Sequence, residues 1–278
     1  MKIVANRHGK KRVRVLKVLR EGARHEIKEL DVSCLLDGDF ESSYAAADNS
    51  GVVPTDTVKN TVTVLAHRLL GRETERFGLD LVRHFLGKYP QVSRVRVEMT
   101  ERRWSRQTVD GQPHDHAFAA AAGAPFARVV ATRGGAEEIE SGIGDLLVLK
   151  STGSGFADFP RDEYTTLPET ADRILAMNAR MAWTYGAPPP DFNAAGAGVL
   201  EAMLRVFAQN YSPSVQATLY DMAGAAFAAC PQVRRVTLAL PNKHYLLANL
   251  KPFGLENPNV TFVPTDEPHG QIEAIIDR

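Results

Sequence analysis

The stretch from Leu149 to Arg173 carries the residue types best suited to holding a flat anion. Leu149-Lys150-Ser151-Thr152-Gly153-Ser154-Gly155-Phe156 follows an apolar run that reads as a strand, and its small hydroxyl and glycine residues leave room for a ligand. Phe156 supplies a flat apolar face. Arg173 supplies a rigid fork of N–H donors, which matches a planar anion better than the point charge of a lysine. Taken singly, each has an ordinary alternative, a core phenylalanine and a salt-bridged arginine. A second constellation, His114-Asp115-His116, sets two imidazoles on one face of a strand, where zinc or copper would bridge them. No third ligand is near in sequence, and neither Cys34 nor Cys230 is close, so no metal is expected.

The elements that must position these residues follow from apolar spacing. Pro90-Gln91-Val92-Ser93-Arg94-Val95 recurs as Pro231-Gln232-Val233-Arg234-Arg235-Val236, each copy after a helical segment and opening a strand. That points to a duplicated unit of about half the chain, with boundaries expected at 1–125 and 126–278. In the first half, Arg12 to Arg20 reads as a strand, and Leu30, Val32, Cys34 and Leu36 alternate at period two. Val58, Val62, Leu65 and Leu69 form a helical stripe, and a second helix spans about 78–88. Val95, Val97 and Met99 then mark a strand wet on one side.

In the second half, Ala127 to Thr132 and Ile139 to Lys150 read as strands. Thr166-Leu167-Pro168-Glu169 has the form of a capping box, and Ile174, Met177 and Met181 would extend it as an amphipathic helix with Arg173 two turns in. Pro188-Pro189-Pro190 reads as an insertion, followed by a helix near 199–208 and another capped by Ser214. Val236, Leu238 and Leu240 alternate again. The fold class expected is α+β: tandem ββααββ units, each an antiparallel sheet with helices on one face. Open edges would be removed by subunit pairing or barrel closure.

Composition narrows the function classes. The 278 residues are 44% hydrophobic and 24% charged, an ordinary globular balance. Lys+Arg and Asp+Glu number 33 each, so no global field draws the chain to nucleic acid or anionic lipid. Eight basic residues, from Lys2 to Arg20, precede the first acid, Glu21, and read as a solvated strand face or as donors to an anionic site. Two cysteines exclude a disulfide framework. No signal-like or membrane-spanning run is present, and the expected location is the cytoplasm.

Four further strings change the weight of the Leu149–Arg173 segment: Gly9-Lys10, Pro54-Thr55-Asp56-Thr57-Val58-Lys59-Asn60-Thr61, Ser214-Val215-Gln216-Ala217-Thr218-Leu219-Tyr220 and Leu240-Pro241-Asn242-Lys243-His244-Tyr245. In this order, over about 10–275, the chain resembles urate oxidase, the cofactor-free uricase of the tunnelling-fold superfamily. The resemblance implies that Arg173 and Gln216 clamp the edge of urate while Phe156 stacks on its ring. It implies that backbone N–H groups of Val215 and Asp56 hold further ring atoms. Lys10, Thr55 and His244 would relay protons, and Asn242 would line the cavity for dioxygen or water. It further implies a homotetramer closed around a tunnel, with Lys10, Thr55 and Asp56 from one subunit and the clamp from its neighbour. His8 and Asp115 depart from the residues usual there. Without the resemblance, Thr55 is most simply an N-cap, Asn242 a turn former and His244 a rim residue.

Those residue types suit the implied chemistry. Dioxygen reacts slowly with closed-shell organic molecules, and most enzymes recruit a flavin or metal for it. A doubly deprotonated urate is electron-rich enough to donate an electron itself. A lysine acts as base there only when burial or a neighbouring cation depresses it far below the ordinary value of about 10.4. Histidine is the natural shuttle near neutral pH. Two other classes compete: a zinc-dependent pterin or purine hydrolase of the same superfamily, and a non-catalytic purine-binding scaffold. The hydrolase needs a metal set that the sequence lacks; the scaffold has no need of Lys10, Thr55 and His244 together.

Overall fold

In the computed structural model, which describes residues 1–278, Leu30, Val32, Cys34 and Leu36 are all sealed from solvent along one face of a strand. The chain forms two compact units, Met1–Gly142 with Thr184–Ala194, and Ile143–Trp183 with Ala195–Arg278. The first unit runs His8–Arg20 (β1), His25–Gly38 (β2), Glu41–Ala45 (α1), Thr55–Leu69 (α2), Thr74–Lys88 (α3) and Val92–Arg102 (β3). A hairpin of Trp104–Val109 (β4) and Gln112–Ala120 (β5) follows, and Ala124–Thr132 (β6) completes the order. The strands β1, β2, β3 and β6 pair antiparallel in that sequence.

Register makes the core. Cys34 lies opposite Val97 and Val32 opposite Met99, while Val97 faces Val129 on β6. Because side chains alternate across a strand, these apolar positions share one face. Val58, Val62 and Ala66 of α2, with Phe77, Leu81, Val82 and Phe85 of α3, cover it. Leu69, expected in the stripe, is exposed instead; Ala66 takes the turn above Val62 because i, i+4 and i+8 stay on one face. Burial pushes the Cys34 thiol up to about 12, so it behaves as a small hydrophobe.

One glycine sets how closely α3 approaches the sheet. A Cβ on Gly78 would lie 2.6 Å from Met99 Cε and 2.7 Å from Val129 Cγ2, inside van der Waals contact. The branched valine cannot swing away as a methionine tip can. Gly78→Ala is expected to destabilise the fold by about 1–3 kcal/mol through overpacking, although alanine is the better helix former. Chemical denaturation reads this directly, and an unchanged midpoint would mean that the helix shifts freely.

The second unit takes over within Glu137–Lys150 (β7) and continues with Leu175–Tyr185 (β8), Phe192–Gln209 (α4), Val215–Ala229 (α5) and Val233–Ala239 (β9). Asn242–Leu247 (β10) and Phe262–Gly270 (β11) form a hairpin, and Glu273–Asp277 (β12) pairs with β9. Both β9 and β10 pair with β8. Apart from the short α1 in the first, each half thus reads ββααβ, hairpin, β, an α+β order in keeping with the repeat.

The duplicated hexapeptide has the same local structure in both places. Val92 N–H donates to Tyr89 O at 3.0 Å, and Val233 N–H to Cys230 O at 3.1 Å. After β6, Arg133 N–H donates to Ser93 O and its guanidinium reaches the carbonyls of Leu86, Tyr89 and Val92. After β12, Arg278 N–H donates to Arg234 O and its guanidinium reaches the carbonyls of Pro231 and Phe227. An arginine clamp closes each copy. The boundary expected at 125/126 falls inside β6, which pairs with β3 of the first unit; alternation marks a strand but not its partner.

Two expectations for the second half are corrected. Ile174, Met177 and Met181 are not helical: Leu175–Tyr185 is a strand whose Leu175, Ala176, Met177, Ala179 and Met181 are all below 1% exposed. On the opposite face Ala176, Ala182 and Thr184 are buried as well, and only Asn178 and Arg180 reach water, so the alternation is weak and reads like a helix. Pro188–Pro190 is not an insertion but the short connection from β8 to α4. Within the first unit it is docked by Arg76, which donates to Pro190 O at 2.8 Å, and by Phe192 N–H, which donates to Glu73 Oε1 at 2.7 Å.

Candidate active site

Phe156 and Arg173 sit on a loop that backbone hydrogen bonds hold rigid. Phe156 and Thr170 exchange N–H···O bonds of 2.7 and 3.0 Å, and Arg173 N–H donates to Ser154 O at 2.8 Å. Asp172 Oδ1 accepts from Thr152 Oγ1 and Gly153 N–H. The result places the Arg173 guanidinium carbon 5.5 Å from the centre of the Phe156 ring. Arg173 therefore stands on a loop and not in a helix, and its position comes from this two-stranded bridge. Gly155 is required at the crossing: a Cβ there would lie 2.2 Å from Tyr211 Oη and 2.8 Å from Thr170 O.

A helix start adjoins this pair. Gly155 N–H donates to Ser212 O at 2.8 Å, and Ser212 N–H donates to Gly153 O at 2.9 Å. Two residues on, Ser214 caps α5, its Oγ accepting from Ala217 N–H at 3.1 Å. The cap satisfies the third helical residue and leaves the N–H groups of Val215 and Gln216, which an α-helix cannot match internally, facing out of the helix end. Anions are favoured there. Burial lowers the half-buried Arg173 guanidinium from its ordinary value, and its Nε is sealed from solvent with no hydrogen-bond partner. A buried donor without an acceptor is costly unless a ligand supplies one.

Asn242 and His244 lie on β10, tied to the strand that begins just after Arg173. Asn242 pairs with Met177 and Lys243 with Ala176 on β8, and Asn178 N–H donates to Pro241 O at 3.1 Å. On the other side His244 pairs with Thr265 of β11, with an irregularity in register between Asn242 and His244. Both side chains are partly exposed.

In the first unit, Lys10 of β1 lies near Asp56, the residue after Thr55 at the start of α2. A Cβ on Gly9 would lie 2.1 Å from Cys34 O, so only glycine lets β1 approach β2 so closely before Lys10. His8 Nε2 meets Val53 O at 3.0 Å, and its ring packs edge-on to Phe40 at 4.4 Å. Those contacts hold the start of β1 against the entry to α2. Pro54 occupies the capping position, so Thr55 is the first helical residue rather than the N-cap, and its hydroxyl caps nothing. Asp56 is held below the usual carboxylate range, first by the hydrogen bond from Lys59 and then by the charge of Lys59, with Lys10 adding to it. Lys10 thus lies within electrostatic reach of Asp56.

The histidine pair gains a neighbour that sequence did not suggest. His114 and His116 have ring centres 4.6 Å apart on β5, and His25 of β2 lies 6.0 Å from His116. No group of three or more His, Cys, Asp or Glu is arranged to hold a metal ion. Sequence reading also missed Asp172, Ser212 and Tyr211, which brace the loop; Tyr211 Oη donates to Ala171 O at 2.9 Å. Asp172 lies within the Leu149–Arg173 stretch and Tyr211-Ser212 just before the Ser214 motif, so their nearness in sequence was the one signal available.

An aromatic face, a guanidinium whose Nε lacks an acceptor and a capped helix end together suit a binder of flat, anionic heterocycles. Comparison with known proteins names the family. The uricase family profile matches residues 6–130 and 139–273. Over 273 residues the chain is 43% identical to a uricase of Arthrobacter globiformis, covering 98% of this chain and 89% of that protein. It is 41% identical to a uricase of Cyberlindnera jadinii over 288 residues, covering 98% of this chain and 95% of that one. The crystal structure of the Arthrobacter globiformis uricase superposes with a TM-score of 0.94 at 42% identity, covering 100% of this chain and 96% of that one. The chain belongs to the uricase family.

Proposed function

We propose that this chain oxidises urate with dioxygen and water, without flavin or metal, to give 5-hydroxyisourate and hydrogen peroxide. One urate, one dioxygen and one water are consumed for each pair of products. Two electrons leave the purine and reduce dioxygen to the peroxide level. The new C–O bond forms between water and ring carbon 5, and the protons released end on peroxide. The observation that carries this reading is the Phe156–Arg173 pair, fixed beside the first N–H groups of α5, which the helix cannot bond internally.

In this scheme Phe156 stacks on the ring, and Arg173 with Gln216 grips its edge. Backbone N–H groups of Val215 and Asp56 take further ring atoms. Lys10, Thr55 and His244 move protons, and Asn242 holds dioxygen or water over the ring. The protein's task is to accept protons, keep the dianion from water and orient it. The working unit is a homotetramer with Lys10, Thr55 and Asp56 offered by one subunit to the clamp of another. Supporting this, β1 pairs only with β2, leaving an edge open to a second copy. No helix is long and apolar enough to cross a membrane, and we place the enzyme in the cytoplasm.

The test uses chelator-treated, flavin-free protein supplied with urate and dissolved oxygen. Urate absorbance, oxygen uptake and peroxide are followed together, and equal molar changes are expected. Turnover that chelation abolishes and zinc restores would establish the hydrolase instead. Tight urate binding with no oxygen consumed would establish the scaffold.

A further inference from the structure

The face of the first unit's sheet turned away from α2 and α3 carries a cluster of arginines that the urate chemistry does not use. Side chains on β3 alternate, so Arg94, Arg96 and Glu98 share the face opposite the buried Val95, Val97 and Met99. Register lines Arg94 up with Asp37 of β2, and Glu98 with Arg128 of β6. Arg7 joins the group through Asp37, donating to its Oδ1 at 2.8 Å.

The cluster does not neutralise itself. Four guanidinium groups stand against two carboxylates. Asp37 engages Arg7 through Oδ1 while its Oδ2 is sealed without a partner, and Glu98 approaches Arg128 only to 4.0 Å. The Nε atoms of Arg94, Arg96 and Arg128 are all sealed from solvent without a hydrogen-bond partner. Burial, and then the charges of Arg7 and Arg128, depress the Arg96 guanidinium from its ordinary value. Like charges crowded at a partly dried surface are unfavourable unless an anion joins them. Guanidinium forks match the oxygens of a tetrahedral oxyanion two at a time.

We propose that Arg94, Arg96 and Arg128, with Arg7 at the rim, form a binding site for a small multivalent oxyanion of the inorganic phosphate class. It is distinct from the urate clamp, whose Phe156 and Arg173 belong to the second unit. Occupancy links to stability, because a ligand that binds only the folded chain raises its unfolding midpoint. The site shares a sheet row with Gly9, since Arg96 pairs with Leu35 and Leu35 with Gly9. An anion there adds negative potential one residue from Lys10.

Titration of the intact protein with inorganic phosphate, in a buffer free of other multivalent anions, tests the assignment by calorimetry and by thermal unfolding. Saturable binding is expected, with an unfolding midpoint that rises with phosphate. Arg96→Gln should weaken phosphate binding by about tenfold or more, the loss typical of a charge-assisted hydrogen bond. Arg205→Gln, an exposed cation on α4, should leave it unchanged. Arg94→Gln provides a second probe should Arg96→Gln lower the yield of folded protein. Equal weakening by Arg205→Gln would mean nonspecific charge attraction and overturn the site. So would linear, unsaturable binding. A sedimentation shift in Arg96→Gln without phosphate binding by the parent chain would assign the face to contact between copies. Failure of the urate assay with phosphate binding intact would leave this site standing and remove only the catalytic reading.

Discussion

Replacing Arg173 with alanine is expected to raise the KM for urate by about 100-fold, because a charge-assisted pair of hydrogen bonds contributes roughly 3 kcal/mol and each 1.4 kcal/mol is tenfold. The guanidinium is half withdrawn from water, and its Nε has no acceptor within the chain; in the proposed clamp a bound anion would supply it. Removing it takes away binding that substrate and transition state share, which moves KM more than kcat. Arg173→Lys should not restore affinity, since an ammonium cannot present two parallel donors to a planar edge. The loop itself should survive, because the Phe156–Thr170 and Gly155–Ser212 bonds are backbone to backbone. Steady-state kinetics beside direct binding of a non-reacting purine checks this. A variant with KM unchanged and kcat collapsed would move Arg173 from clamp to chemistry.

Lys10→Met should show the opposite signature: kcat lower by about 100- to 10,000-fold, the usual contribution of a positioned acid–base group, with KM within a few fold. Methionine keeps an unbranched apolar stem, one atom shorter than that of lysine, but can neither accept nor deliver a proton. The substitution spares Gly9, which the close approach to Cys34 O demands, so strand pairing should persist. If Thr55 passes the same proton, Thr55→Ala combined with Lys10→Met should cost little more than Lys10→Met alone, since residues acting as a unit are not additive. A kcat retained in Lys10→Met, with KM raised, would assign this lysine to anion binding and end the relay.

Strands with one wet face were legible residue by residue. Leu30, Val32, Cys34 and Leu36 fold as read because every second side chain must leave water, and the same logic holds for Val95, Val97 and Met99. Ser214 was legible as a cap because its hydroxyl has one local task. Reading failed where local chemistry and packing disagreed. The Thr166–Glu169 string has the form of a helix start, yet the chain beyond it is β8, buried along most of its length and bonded to β9 and β10. Thr55 looked like a cap and is the first helical residue, displaced by Pro54 one step earlier.

The urate-type clamp shows the same division. Residue type singled out Phe156 and Arg173, since a flat face and a planar fork are chemical properties carried by side chains alone; Gln216, Asn242 and His244 were singled out only by the family resemblance. What joins Phe156 to Arg173 is a backbone bridge at Thr170, and what joins them to α5 is a bridge at Ser212. Neither leaves a periodic signal. Sequence by itself determined the α+β order, the duplication and the chemistry on offer, because these depend on local spacing and side-chain type. Tertiary structure alone decided that Arg173 stands on a braced loop, that β6 belongs with β3 and that four arginines crowd one sheet face. Those outcomes depend on register between distant strands, and no single segment encodes its partner.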